Sequence, residues 1–155
     1  IRTYVEPMPI GSTVRSTTVG EVVTAAGSLR VGDLVVGPGG WQEYYVSRPQ
    51  HLQPVSVPRG VPASAALGIL GPTGLTAYFG LFKIGAPKPG ETVLVSGAGG
   101  ATGNVVCQIA KKIVGCKVVG IAGGPEKCKF LVDELGLDGA IDYRAEKDLS
   151  AAIKR

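Results

Sequence analysis

The 155-residue chain holds a single histidine and three cysteines, and Cys107, Cys116 and Cys128 form no C-x-x-C pair. Tetrahedral metal centres draw on clustered cysteine and histidine, and Ser-His or Cys-His catalysis needs a histidine beside its nucleophile. His51 stands in Pro49-Gln50-His51-Leu52 with no carboxylate or cysteine cluster beside it. It reads as a surface histidine, no metal ligand set is expected, and the cysteines read as small buried hydrophobes. Aromatic residues make up only 6% of the chain, and Lys and Arg are scattered, with no block longer than the pair Lys111-Lys112. A nucleic-acid surface of cations interleaved with stacking rings is therefore not expected, and the net charge of +4 reads as solubility plus phosphate affinity. No apolar run approaches the roughly twenty residues that cross a bilayer, so no membrane partner is expected. The opening Ile1-Arg2-Thr3-Tyr4 has no signal-peptide character, which makes the cytoplasm the expected location.

What is present is 45% hydrophobic residues in a length that suits one domain or parts of two. From Val93 to Gly103 the chain reads V-L-V-S-G-A-G-G-A-T-G and then runs into the apolar-periodic Asn104-Val105-Val106-Cys107-Gln108-Ile109-Ala110-Lys111. A buried strand, a glycine-rich turn and a helix start follow one another. That order aims bare backbone amides and a helix dipole at one spot, where a diphosphate can sit. The register that ends on Gly103 places Ala98, Gly100 and Gly103 at the three small-residue positions. Gly100 is expected to let backbone approach phosphate and Gly103 to let the helix pack on the strand, while Ala98 makes the turn more demanding.

Gly115 closes this helix, Lys117-Val118-Val119-Gly120-Ile121-Ala122 forms a second apolar strand, and Pro125 opens a second helix. That helix carries Cys128, Leu131, Val132 and Leu135 on one face and stops at Gly136, before a third strand at Ala140-Ile141-Asp142-Tyr143. Consecutive right-handed crossovers build a parallel sheet covered on both faces. The stretch 91–143 thus predicts one mononucleotide-binding half of a Rossmann doubly wound α/β fold.

In such a fold a carboxylate at the end of the second strand grips the adenine ribose, about twenty residues beyond the glycine turn. Here that place is Ala122-Gly123-Gly124, with Lys127 in the next helical turn and Tyr143 and Arg144 at the end of the third strand. Cationic and hydroxyl donors suit a 2′-phosphate, which predicts NADP(H) over NAD(H). The alternative has Lys127 as a solvated surface lysine and Glu126 reaching the ribose hydroxyls.

The first third differs in texture. Gly20-Glu21-Val22-Val23-Thr24, Gly32-Asp33-Leu34-Val35-Val36 and Trp41-Gln42-Glu43-Tyr44-Tyr45-Val46 are short β-rich runs separated by Gly, Ser and Pro, as in a small antiparallel barrel. Trp41, Tyr44 and Tyr45 could wall a substrate cleft or fill a barrel core. The segments 62–67 and 74–82 read as helices despite their glycines, and 87–90 as the turn into the strand.

The motifs V-G-D-L-V-V-G, G-L-T-A-Y-F-G-L, K-P-G-E-T-V-L-V-S-G-A-G-G-A-T-G, Q-I-A-K and G-I-A-G-G-P-E-K together cover nearly the whole chain in order. They resemble the zinc-independent medium-chain dehydrogenase/reductase superfamily, in the branch of leukotriene B4 dehydrogenase, prostaglandin reductase and 2-alkenal reductase. The resemblance implies part of a GroES-like catalytic domain over 1–60, with linking helices and the first half of a Rossmann NADP-binding domain over 61–155. It implies NADPH-dependent reduction of the carbon–carbon double bond of an enone or alkenal, hydride arriving at the β-carbon and the enolate being protonated afterwards. By position, Ala101, Thr102, Gly103 and Asn104 match the family's phosphate-binding turn, Lys127 and Tyr143 its 2′-phosphate contacts, and Thr76 its nicotinamide neighbourhood. The Thr76 hydroxyl has a second reading, a bond back to its own helix. Gly97 departs from a frequent alanine, and Pro72-Thr73 from a common Met-Pro.

Against the family pattern the chain reads as an internal portion of a longer enzyme that forms a homodimer. Three strands of a six-stranded sheet would leave an open inner edge and an uncovered apolar face. No general acid is identified. An NADPH quinone reductase of the same superfamily and a non-catalytic nucleotide-binding relative are the alternative functions.

Overall fold

The computed structural model describes residues 6–154, so Ile1-Arg2-Thr3-Tyr4 lies outside the described residues. The chain divides into two compact units, Ile1–Gly71 and Pro72–Arg155.

In the first unit, β1 (Thr18–Glu21), β2 (Leu34–Gly37) and β3 (Gln53–Pro54) form an antiparallel sheet in that order. Thr18 stands opposite Gly37 and Glu21 opposite Leu34. The Gly32-Asp33 corner is tied by the Asp33 carboxylate, whose Oδ2 accepts the Arg30 amide at 2.8 Å. Val35 on β2 and Leu29 in the connecting turn are each 5% exposed and anchor this small sheet.

The expected third β-run is not a strand. Residues 41–46 have no ladder partner among the described residues, and Trp41 and Tyr44 are 74% and 75% exposed, so neither fills a barrel core. The cause is local. Gly37-Pro38-Gly39-Gly40 ends β2, and the chain is then held by single bonds, Gly40 N to Ser16 O and Trp41 N to Val14 O, both 3.0 Å. Tyr45 alone folds back; a Cβ at Gly39 would meet its ring at 2.5 Å, so the ring needs a glycine beneath it. The segment 62–67 likewise forms only a 3-10 turn, Ala63–Leu67, ending at Gly68.

In the second unit, α1 (Pro72–Phe79) continues as a π-turn over Gly80–Gly85, so the expected helix begins two residues earlier and changes pitch at its glycine. Ala86 stops it in a left-handed conformation with φ 43°. The strands β4 (Thr92–Ser96), β5 (Lys117–Ala122) and β6 (Gly139–Asp142) are parallel, in the order β4-β5-β6. Val93 faces Val118 across the first pair and Ile121 faces Ile141 across the second. The crossovers are α2 (Ala101–Gln108), prolonged as a π-turn to Val114, and α3 (Pro125–Asp133). Gly115 closes the first with φ 82°. A short α4 (Leu149–Lys154) follows β6 and was not foreseen from the sequence.

This is the α/β half expected from the sequence. Its core gathers Val95, Ala98, Cys107, Val118 and Leu131 between sheet and helices. Cys107 and Cys116 are buried as expected, and Cys128 is half-buried. Burial pushes the Cys107 thiol up to about 11. At the other end of β5, Asp138 joins three elements: Oδ1 accepts Lys111 Nζ at 2.7 Å and Oδ2 accepts the Val118 amide at 2.7 Å. β4 lies at the open edge, and its Leu94 is 42% exposed although the strand is parallel. Among the described residues no helix is long and apolar enough to cross a membrane.

Leu131 is wholly buried. Leu131→Ala is expected to lower unfolding free energy by about 2–5 kcal/mol, read from urea midpoints, through lost transfer energy and a residual cavity. Lys111 and the Val118 amide hold the Asp138 carboxyl below the ordinary value of 3.8. A depressed folded-state value means the contribution to stability is complete above the ordinary value and is lost as pH falls through the folded one. Thermal unfolding from neutral pH downwards is therefore expected to show a stability gap between wild type and Asp138→Asn that closes below about pH 4.

Candidate functional site

Gly97 leaves β4 with φ 59°, a left-handed conformation that glycine adopts at no steric cost. Ala98 does not carry that conformation, which corrects the expectation that it occupies the demanding corner. It is instead wholly buried, its amide donating to the Ile121 carbonyl at 3.0 Å. Its methyl packs opposite Gly120, where an added Cβ would lie 2.9 Å from it and 2.8 Å from Leu131 Cδ1.

The turn closes through Gly100 N to Gly97 O at 2.9 Å, and Gly100 caps α2 through its carbonyl, which accepts the Asn104 amide at 2.9 Å. No side chain caps the helix. The Ala101, Thr102 and Gly103 amides therefore have no acceptor among the described residues, the orphan donors of a helix start. They can do so at this spot because Gly103 is buried against the turn: a Cβ there would overlap the Gly97 carbonyl oxygen and stand 2.9 Å from Ala98 Cα. The Asn104 side chain is turned along the helix, its Oδ1 accepting Gln108 Nε2 at 2.6 Å. A cleft of about 510 Å³ borders the turn, lined by Ser96, Gly97 and 100–103 together with the β4 edge and Gly80 and Leu81.

Lys127, in the first turn of α3, extends its stem over Gly99 of the same turn, with Cδ 3.4 Å from where a Gly99 Cβ would be. It has no ion-pair partner among the described residues. Tyr143 lies just past β6, half exposed, its phenol over Gly123; a Cβ at Gly123 would be 2.7 Å from the hydroxyl and 2.8 Å from Cζ. The Arg144 guanidinium sits 5.9 Å from the Tyr143 ring centroid. The ends of β4, β5 and β6 thus bring together free amides, an ammonium and a phenol, with a guanidinium beside the phenol. Thr76 is not part of this group, since its hydroxyl donates to the Pro72 carbonyl at 2.7 Å within α1. That is its back-bonding reading.

Asp142 was not singled out from the sequence. Its Oδ1 accepts the Gly124 amide at 2.8 Å and the Arg144 amide at 3.0 Å. Those two donors hold its carboxyl below the usual aspartate range. The signal was available as a carboxylate closing a strand beside a Gly-Gly loop.

This geometry defines the first mononucleotide-binding half of a doubly wound α/β fold, with a helix start uncapped by any side chain at the ends of its strands. A family model described as the N-terminal domain of oxidoreductase matches residues 1–55. The NADP(+)-dependent 2-alkenal reductase of Nicotiana tabacum is 44% identical over 153 residues, which are 98% of this chain and 44% of that protein. Prostaglandin reductase 1 of Bos taurus is 42% identical over 157 residues, covering 99% of this chain and 47% of that protein. The crystal structure of CurA in complex with NADPH from Vibrio vulnificus superposes with a TM-score of 0.81 at 40% identity, over 99% of this chain and 45% of that one. The chain belongs to the zinc-independent medium-chain dehydrogenase/reductase superfamily and spans less than half the length of these relatives.

The two glycines that face the turn differ in what they tolerate. Gly103→Ala must displace backbone and is expected to cost about 1–3 kcal/mol. Gly99→Ala meets only the flexible Lys127 stem and is expected to stay within about 1 kcal/mol of wild type in the same denaturation experiment.

Proposed function

We propose that the whole protein is an NADPH-dependent oxidoreductase that reduces the carbon–carbon double bond of an α,β-unsaturated ketone or aldehyde without zinc. One observation carries the cofactor half of this reading. Three unpaired amides at the start of α2 share their end of the sheet with Lys127 and Tyr143, while β5 ends in Ala122-Gly123-Gly124 with no carboxylate. Orphan amides and a helix dipole suit a diphosphate; an ammonium and a phenol suit a further phosphate on the ribose. The carboxylate that does stand nearby, Asp142, spends an oxygen on two backbone amides, which argues against its gripping a ribose in the manner of an NAD site.

The proposed residues divide the work. Gly100 and Gly103, with the amides of Ala101 and Thr102, hold the diphosphate, and Asn104 supports the same turn. Lys127, Tyr143 and Arg144 hold the 2′-phosphate, while Ala98 seats the turn against β5 and Gly123 makes room for the Tyr143 ring. The bound coenzyme supplies hydride to the β-carbon of the alkene. What the chain supplies is a fixed position for the coenzyme's adenine end, so that the reducing end is presented in one orientation. The 2-alkenal reductase and prostaglandin reductase relatives favour an enone or alkenal as substrate. The reading extends to a cytoplasmic homodimer acting on a small molecule.

Isothermal titration of the intact protein is expected to give tighter binding of NADPH than of NADH. Lys127→Ala should weaken NADPH by roughly 10- to 100-fold, the worth of one charge-assisted contact, with little effect on NADH. Equal affinity of the wild type for both coenzymes would overturn the assignment. NADPH oxidation with trans-2-alkenones and alkenals, unaffected by a chelator, is the expected activity; turnover of quinones alone would move the reading to a quinone reductase.

A further inference from the structure

The loop between β5 and α3 leads into Lys127 and lies under Tyr143, yet no side chain of its own holds it. Gly123 has no side chain, Gly124 lies at φ 102°, and no side chain caps α3, so the helix holds the loop only through the Gly124 carbonyl, which accepts the Cys128 amide at 3.2 Å. A Gly-Gly segment at a strand end samples many conformations, and each alternative would move Lys127, three residues on, and the floor under Tyr143. In the structure this freedom is removed from the neighbouring strand. Asp142 Oδ1 accepts the Gly124 amide at 2.8 Å, and the same oxygen accepts the Arg144 amide at 3.0 Å. The backbone adds a third tie, Tyr143 N to Ala122 O at 3.1 Å, which brings the phenol over Gly123.

We infer that Asp142 is a positioning residue for coenzyme choice: its one oxygen clamps the Gly124 loop to the Tyr143-Arg144 corner and so holds the ammonium and phenol in phosphate-binding order. The inference rests on the NADPH reading above. Asp142 is not placed against the coenzyme; it acts through Gly124 and Arg144. The function requires an acceptor at that point rather than a negative charge, because a charge so near a phosphate opposes binding while the two amide bonds favour it. That separates the clamp from an ordinary ion pair. It also separates it from a ribose-gripping carboxylate, whose loss would harm NADH at least as much as NADPH.

The test is calorimetric titration of the intact protein with NADPH and with NADH, for wild type, Asp142→Ala, Asp142→Asn and Asp142→Glu. Asp142→Ala is expected to raise the NADPH dissociation constant about tenfold while NADH changes less than about threefold, so that discrimination collapses. Asp142→Asn keeps an acceptor in place and is expected to restore NADPH binding to within about threefold of wild type, or to tighten it. Asp142→Glu displaces the acceptor by one methylene and should lose discrimination with Asp142→Ala, which keeps the question decidable should the alanine variant fail to fold. A wild type that binds both coenzymes equally would overturn the reading of the site itself. A discriminating wild type whose Ala and Glu variants discriminate equally well, or whose Asn variant falls with them, overturns the clamp alone.

Discussion

The approach of α2 to the turn that precedes it is the contact on which the rest of the second unit depends. Gly103 sits where any side chain would overlap the Gly97 carbonyl, and Gly97 itself turns through a left-handed conformation. With the helix held this close, its first three amides emerge at the end of the sheet instead of against solvent further out. The same closeness fixes Ala98 over Gly120 and so sets the depth at which Leu131, and with it α3, packs on β5. Lys127 inherits its place from that packing. A methyl group at one glycine would thus be felt by the cation on another helix.

The two ends of the sheet are tied by aspartates that work alike. Asp138 joins the start of β5 to the α2 extension through Val118 and Lys111. Asp142 joins the end of β6 to the loop that opens α3 through Gly124. In one, a carboxylate just before β6 accepts an amide of β5, and in the other a carboxylate at the end of β6 accepts an amide of the loop after β5; in both, hydrogen bonding to the charged form depresses its titration. Parallel strands have no hairpin to keep their connections in step, so such cross-ties supply the register that a tight turn gives to antiparallel ones.

The second unit was legible because its signals are local. Strand, glycine turn and helix are consecutive, Gly115 and Pro125 punctuate at the expected places, and the boundaries moved by only a residue or two at β6. The site residues on those elements could be read by offset from the turn. What could not be read was which small residue turns the corner. Gly97 and Ala98 differ by one position, and only the backbone conformation shows that the glycine takes the left-handed place. Asp142 escaped because its role is a bond to an amide eighteen positions away, which no periodicity marks. The first unit was less legible for a related reason. Trp41-Gln42-Glu43-Tyr44-Tyr45-Val46 has the composition of a strand, but composition records only readiness to pair, and pairing needs a neighbour. The glycine cluster before it ends β2, and the described residues offer no ladder to join.

A hydroxyl in a helix has two competing partners, the carbonyl one turn back and whatever lies across the groove. In α1 the Pro72 carbonyl takes the Thr76 hydroxyl at 2.7 Å. The free amides of α2 lie at the end of β4, with Lys127 just after β5 and Tyr143 just after β6. A coenzyme held there by its phosphates has its translational and rotational freedom removed before any reducing chemistry begins, and that is where binding energy from a non-reacting part of a molecule becomes useful to the reacting part. The proposed division is therefore one of distance: β4, β5 and β6 fix the handle, and orientation at the far end follows from how rigidly the handle is gripped. A loop of two glycines is the least rigid element in that grip, which is why a carboxylate on the neighbouring strand matters more to it than another cation would.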